Sequence, residues 1–171
     1  NNYEHNVEWL QDGKYPYEFL SGGDGMQVQI DTRTNNLVYT GYQFGNYTKI
    51  DRISGERKYI TPQADKKEEP YRFNWQAPIL LSSHNQDVVY FGGQYVFRSM
   101  NQGKNWEKIS TDLTNGKVEG NVPFGTITSI AESKFKFGKL VVGTDDGNVY
   151  VTKDSGENWT KISSSLPQNL W

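Results

Sequence analysis

The sequence predicts an all-β chain of about three four-stranded antiparallel units, and three observations carry that reading. A turn pattern occurs twice, as Ser99-x-Asn101-x-Gly103-x-x-Trp106 and Thr152-x-Asp154-x-Gly156-x-x-Trp159, each time after a short β-rich run. A strand-like segment closing on glycine recurs at a constant interval, ending at Gly41, Gly92 and Gly143, 51 residues apart at both steps. Aromatic residues make up 14% of the 171 residues, glycine is frequent, and no stretch keeps a helical period; that suits many short strands joined by glycine turns.

Residues 1–26 read as an N-terminal connection, aromatic at Trp9, Tyr15, Tyr17 and Phe19 but without clean alternation, and closing on the turn cluster Ser21-Gly22-Gly23-Asp24-Gly25. The first unit, 27–60, is expected to place strands at 27–30, 37–40, 47–50 and 57–60. Its outer hairpin, Asp51 to Arg57, keeps Gly55 but has no Trp, a degenerate form of the pattern. After a loop over 61–77, the second unit, 78–109, offers strands at 79–81, 88–91, 95–98 and 106–109. A second loop, 110–125, leads to the third unit, 126–163, with strands at 128–131, 140–142, 149–151 and 159–162; residues 164–171 form a tail.

The repeated pattern has a physical logic. Its Asp or Asn can accept backbone N–H groups inside a tight turn, its hydroxyl supports the same turn, and its Gly takes a positive φ. Trp then opens the returning strand and is expected to pack back on its own hairpin. Ser99, Asn101, Gly103, Trp106, Thr152, Asp154, Gly156 and Trp159 are therefore read as structural residues. Four-stranded units repeating at this interval suit the blades of a β-propeller, each packing face to face on its neighbour. A closed ring takes ~4–8 blades. Three imply a partial propeller that needs remaining blades or self-association to cover its two open faces.

This turn pattern resembles the Asp-box, or BNR repeat, of sialidase-like and sortilin-like β-propellers. Further phrases are similar to bacterial VPS10/sortilin-like or BNR-repeat "glycosyl hydrolase" proteins. They are Ser21-Gly22-Gly23-Asp24-Gly25, Tyr71-Arg72-Phe73-Asn74-Trp75-Gln76-Ala77-Pro78-Ile79, Asn121-Val122-Pro123-Phe124-Gly125-Thr126-Ile127 and Gly143-Thr144-Asp145-Asp146-Gly147-Asn148-Val149. The resemblance implies that the boxes lie on outer hairpins away from the ligand face. It also implies an exported protein (secreted, periplasmic or at the cell surface) that is longer than this segment, with glycan or peptide as ligand.

By the repeat alignment, Asp24, Trp75 and Thr126 are equivalent, each just before an innermost strand at the channel mouth. The second-to-third-strand loops bring Tyr42-Gln43-Phe44, Gly93-Gln94 and Asp145-Asp146 to the same face. Asp24, Tyr71, Trp75, Gln76, Asp145 and Asp146 are the candidate ligand residues, since aromatic faces stack on apolar ring surfaces while carboxylates and amides take hydroxyls. As catalytic candidates, Asp24 with Asp145 or Asp146 answers to the two carboxylates of a glycosidase; the competing reading makes all three turn residues. Binding without catalysis by these residues is the favoured expectation. The alternative is a glycoside hydrolase completed by other blades.

Composition removes other classes. A formal charge of −2 without a basic block gives no nucleic-acid surface, and no apolar run is long enough to insert in a membrane. The chain has no cysteine, and its two histidines, His5 and His84, lack ligand spacing, so neither metal nor cofactor is expected. Lys66-Lys67-Glu68-Glu69 is read as a solvated loop run. The five arginines do not converge as a sialidase site requires, since Arg33, Arg52 and Arg57 fall at the box end.

Overall fold

Twelve short strands run through residues 19–164, the part of the chain that the computed structural model describes. The expected N-terminal connection before residue 19 and the tail from 165 lie outside the described residues. The first sheet is β1 (Gln29–Ile30), β2 (Leu37–Tyr42), β3 (Asn46–Asp51) and β4 (Arg57–Tyr59); the second is β5 (Ile79–Leu81), β6 (Val89–Gly92), β7 (Val96–Ser99) and β8 (Glu107–Lys108). The third is β9 (Ile127–Glu132), β10 (Leu140–Thr144), β11 (Val149–Thr152) and β12 (Thr160–Lys161). Each sheet is an antiparallel meander in chain order, so three blade-like units stand in series.

The period of two along β6 and β7 decides how they stack. Val89, Phe91 and Phe97 point to the first sheet and meet Tyr39, Tyr47 and Phe73; Val88, Tyr90 and Val96 point to the third and meet Ile127, Leu140 and Val142. The middle sheet is thus core on both faces, and all four residues of β6 are buried. Edge-to-face rings of Tyr47 and Phe73 on Phe91, at centroid distances of 5.3 Å each, fix the first interface.

The two box hairpins form as their sequence requires. Ser99 Oγ accepts the Gly103 N–H at 2.8 Å, and Asn101 Oδ1 accepts the Asn105 N–H at 2.9 Å. In the twin, Thr152 Oγ1 accepts the Gly156 N–H at 3.0 Å and Asp154 Oδ1 accepts the Asn158 N–H at 3.0 Å. The residue before each glycine, Gln102 or Ser155, also has positive φ.

The tryptophans behave differently from the expectation. The indole N–H of Trp106 donates to the Ile60 carbonyl at 2.6 Å, and that of Trp159 to the Ile109 carbonyl at 2.7 Å. Each box is therefore a clasp on the preceding sheet, with the Trp106 ring set against Phe91 in the core between them. The degenerate first hairpin keeps the clasp with another donor: Arg57 Nη1 reaches the Leu20 carbonyl at 2.7 Å. Ile60, Ile109 and their counterpart Ile162 are each followed by a hydroxyl residue, and Thr61, Ser110 and Ser163 accept the N–H groups of Tyr47, Val96 and Val149 at 2.9–3.0 Å, which anchors each third strand to the end of its fourth.

Charges brace the box end. Arg33 bonds Asp31 at 2.6 Å within the first sheet and Asp87 at 2.7 Å across to the second. The run at 66–69 is not simply solvated: Glu68 bonds the Lys108 ammonium at 3.2 Å and the Tyr71 phenol at 3.1 Å.

Two outcomes follow from the hairpins. Trp106→Ala should lower stability by about 3 kcal/mol and Trp106→Phe by about 1 kcal/mol, the ring remaining and the clasp bond lost; urea unfolding midpoints check this, and equal effects would contradict the clasp. The Asn158 amide bonds and the Thr152 hydroxyl hold the Asp154 carboxyl down at about 2. A depressed carboxyl stabilises the fold above its unfolded value and gives that up as pH falls through the folded one. Amide protection in the 154–158 turn, measured relative to intrinsic exchange, should therefore fall between pH 4 and 2, and Asp154→Asn should flatten that dependence.

Candidate ligand-binding mouth

Strand direction gathers the β2–β3 and β10–β11 hairpins and the connections entering β5 and β9 at the end of the stack opposite the boxes. Trp75, Gln76, Asp145 and Asp146 lie on these segments, and Asp24, on the segment entering β1, is tied to the β2–β3 hairpin through Gln43. They do not have the same chemistry left to offer.

Asp145 is consumed by the fold. Its Oδ1 accepts the N–H groups of Gly125 and Thr126 at 3.0 and 2.9 Å, and its Oδ2 accepts the Thr126 hydroxyl at 2.6 Å and the Asn74 amide at 3.1 Å. With about four lone-pair sites on a carboxylate, none is left for a ligand hydroxyl. Asp146 holds the loop 112–116 onto the hairpin, taking the Asn115 N–H at 2.6 Å and the Asn148 amide at 3.0 Å. Both are turn residues that lock the connection entering β9. Asp24 differs: it is exposed, its Oδ2 accepts only the Gln43 amide at 2.7 Å, and Oδ1 has no hydrogen bond among the described residues.

Trp75 and Phe44 form the centre of the mouth. Both rings are exposed and meet edge to face at 5.1 Å, while the Phe44 N–H donates to the Trp75 carbonyl at 3.1 Å, tying the first sheet's hairpin to the connection entering the second. Phe44 and Gly45 take φ of 61° and 72°, both left-handed, in the three-residue loop between paired Tyr42 and Asn46. Among residues other than glycine, Asn and Asp adopt positive φ most readily, and an aromatic residue there costs energy. What the strain yields is a ring fixed outward beside Trp75, with exposed Tyr42 in the same hairpin. Gly45 has no room for a side chain, since a Cβ would come within 2.8 Å of the Phe73 ring.

Two other residues need comment. Tyr71 lies over β7 and β8, its ring 4.9 Å from Phe97 and beneath the Lys108 ammonium at 5.6 Å, so its faces are taken and it does not join Trp75. Gln76 is exposed, with its side chain free of hydrogen bonds among the described residues. Phe44 and Gln43, expected only as loop residues, thus stand at the mouth, and the local signal for this is a bulky ring immediately before Gly45 in a short hairpin. Arg72, which no local signal singles out, joins the two long connections through Asp112 at 2.8 Å and the Gly125 carbonyl at 3.2 Å. Among the described residues, no three His, Asp or Glu side chains cluster to hold a metal.

No family model matches this chain, and no curated protein sequence does. Solved structures do. An ancestral GH74 enzyme superposes with a TM-score of 0.57 at 17% identity, covering 83% of this chain and 18% of that one. The GH74 xyloglucanase from Xanthomonas campestris gives 0.53 at 18% identity, over 82% of this chain and 23% of that one. YCF48 bound to D1 peptide gives 0.50 at 17% identity, over 81% of this chain and 39% of that one. This chain thus spans well under half the length of each, and identities this low speak for the fold alone. That fold is a run of β-propeller blades.

Proposed function

We propose that these three sheets are a binding segment of an Asp-box, sortilin-like propeller, taking a glycan or an extended peptide across the Trp75–Phe44 ledge. The observation that carries this is the pair of exposed rings held outward by positive-φ backbone and by the Phe44 N–H bond to Trp75. Such a ledge offers apolar faces to a sugar ring or a side chain, and Asp24, Gln43 and Gln76 line its edge with acceptors and amides. Catalysis by these residues is not part of the reading. A glycosidase needs two working carboxylates ~5–9.5 Å apart, and the oxygens of Asp145 are already saturated. Asp24, with a free oxygen, supports the second reading, in which it serves one half of a hydrolase pair and another blade supplies the other. The neighbours favour the same two ligand classes, one being a xyloglucanase and another holding a peptide. An exported location remains part of this proposal.

Xyloglucan oligosaccharides and extended peptides, titrated calorimetrically against the whole chain, test it. One class should bind, and Trp75→Ala should weaken it about tenfold with an unchanged melting midpoint, the loss of a stacking ring being ~0.5–1.5 kcal/mol. Binding unaffected by Trp75→Ala would move the site elsewhere. Asp145→Asn should behave oppositely, lowering the melting midpoint through a lost turn bond.

A further inference from the structure

The β9–β10 turn carries a ring that nothing covers. Residues 134–139 read Lys-Phe-Lys-Phe-Gly-Lys, and the two phenylalanines have different surroundings. Phe137 packs on the core between the second and third sheets and meets the His84 ring edge to face at 6.1 Å. Phe135 is 100% exposed. The turn beneath it is held in place. The Ser133 N–H donates to the Lys139 carbonyl at 2.9 Å, the Phe135 N–H donates to Ser133 Oγ at 3.3 Å, and His84 Nε2 lies 2.8 Å from the Ser133 carbonyl. Gly138 has φ of 70°, and a Cβ there would collide with Ser155.

Around the ring the open charge is positive. Lys134, Lys136 and Lys139 share its turn, and Lys153 opens the β11–β12 hairpin, which bonds that turn through the Ser155 N–H and the Gly138 carbonyl. All four are exposed and have no carboxylate partner among the described residues. The carboxylate at the base of the turn is occupied: Glu132 accepts the Ser82 and Tyr90 hydroxyls at 2.7 and 3.0 Å and the Ser83 and Gly138 N–H groups at 3.1 Å each. Asp154 is bonded within its own hairpin, where Glu157 is the acidic group left exposed. The other sheets also set an apolar tip beside a cation at this end. Ile53, 77% exposed, follows Arg52, and Met100, 53% exposed, shares its hairpin with exposed Lys104.

We infer that the box end docks on an anionic lipid bilayer, with Phe135 entering the boundary between headgroups and acyl chains and the four lysines lying among the lipid phosphates. A bilayer surface sets an anionic layer over an apolar one, and the turn meets it in matching order, ring outermost and cations behind. A soluble polyanion would satisfy the lysines and leave the ring in water. A polymer held by stacking needs a wall beside the ring, and a fully exposed Phe135 has none. Either signal alone holds a membrane weakly, so both are required. Attachment by surface turns needs no spanning segment. It also directs the Trp75–Phe44 ledge, at the opposite end of the stack, away from the membrane. The inference goes beyond the ligand reading and does not depend on it.

Cosedimentation of the full chain with lipid vesicles tests this. The chain should bind phosphatidylcholine vesicles containing about 30% phosphatidylglycerol about tenfold more strongly than phosphatidylcholine alone, and added salt should release it. Phe135→Ser should weaken that binding about tenfold with an unchanged melting midpoint, since a fully exposed ring adds no burial to the fold. Lys134→Gln combined with Lys136→Gln should weaken it by a similar factor through charge. Phe135→Trp should shift its emission to the blue when anionic vesicles are added. Absence of binding overturns the inference, and so does equal binding to neutral and anionic vesicles. Binding unaffected by Phe135→Ser also overturns it and assigns the lysines to a soluble polyanion. A chain that sediments as a dimer and is made monomeric by Phe135→Ser does the same, since a second copy would then be the occupant. Trp75→Ala should leave vesicle binding unchanged, which separates this outcome from that of the ledge; a loss there would place the contact at the mouth instead.

Discussion

Each sheet of this chain is a single layer with no interior of its own, and everything else follows from that constraint. A strand alternates its side chains between two faces, so a four-stranded sheet becomes core only where another covers it. The middle sheet shows the consequence: Phe91 and Tyr90, neighbours in sequence, are both fully buried, in different cores. Stability here resides at the interfaces between sheets. The most informative contacts are accordingly those that cross from one unit to the next.

Those crossings divide by end. At the box end they are polar, with Arg33 spanning Asp31 and Asp87 while the indole N–H groups take carbonyls of the preceding sheet. At the other end they are backbone and side-chain bonds that position loops, such as Phe44 N–H on the Trp75 carbonyl and the Asp145 carboxylate on the connection entering β9. One end holds the stack together, and the other sets the spacing of what is presented to solvent. A ligand surface at the second end needs no flexibility, since its hairpins are fixed from both sides.

The strands were legible because two of their causes are local. Alternation and closing glycines depend on residues a few positions apart, so all twelve strands fall where the pattern puts them within a residue or two. Destinations were not legible. The sequence shows that Trp106 follows a turn, but whether its N–H serves its own hairpin or Ile60, 46 positions earlier, depends on how sheets stack. The same limit hid the equivalence of Arg57 with Trp106, since two unlike side chains share only the ability to donate to a carbonyl. It hid as well the difference between Asp24 and Asp145, both acidic residues in glycine turns, one half free and the other fully bonded. For Tyr71, the decisive partner was Lys108, in a strand whose packing the loop sequence does not encode.

That difference between carboxylates bears on what kind of chemistry the mouth can host. General acid–base work needs a group with an oxygen open to the substrate, and a carboxylate whose acceptor sites are all occupied by the fold offers none. Asp145 therefore serves the fold rather than a substrate. Stacking makes no such demand, since a ring used for recognition need only be exposed and immobile. Phe44 meets both conditions at the expense of an unfavourable backbone conformation, with its N–H fixed to Trp75 and no space left at Gly45 for another residue.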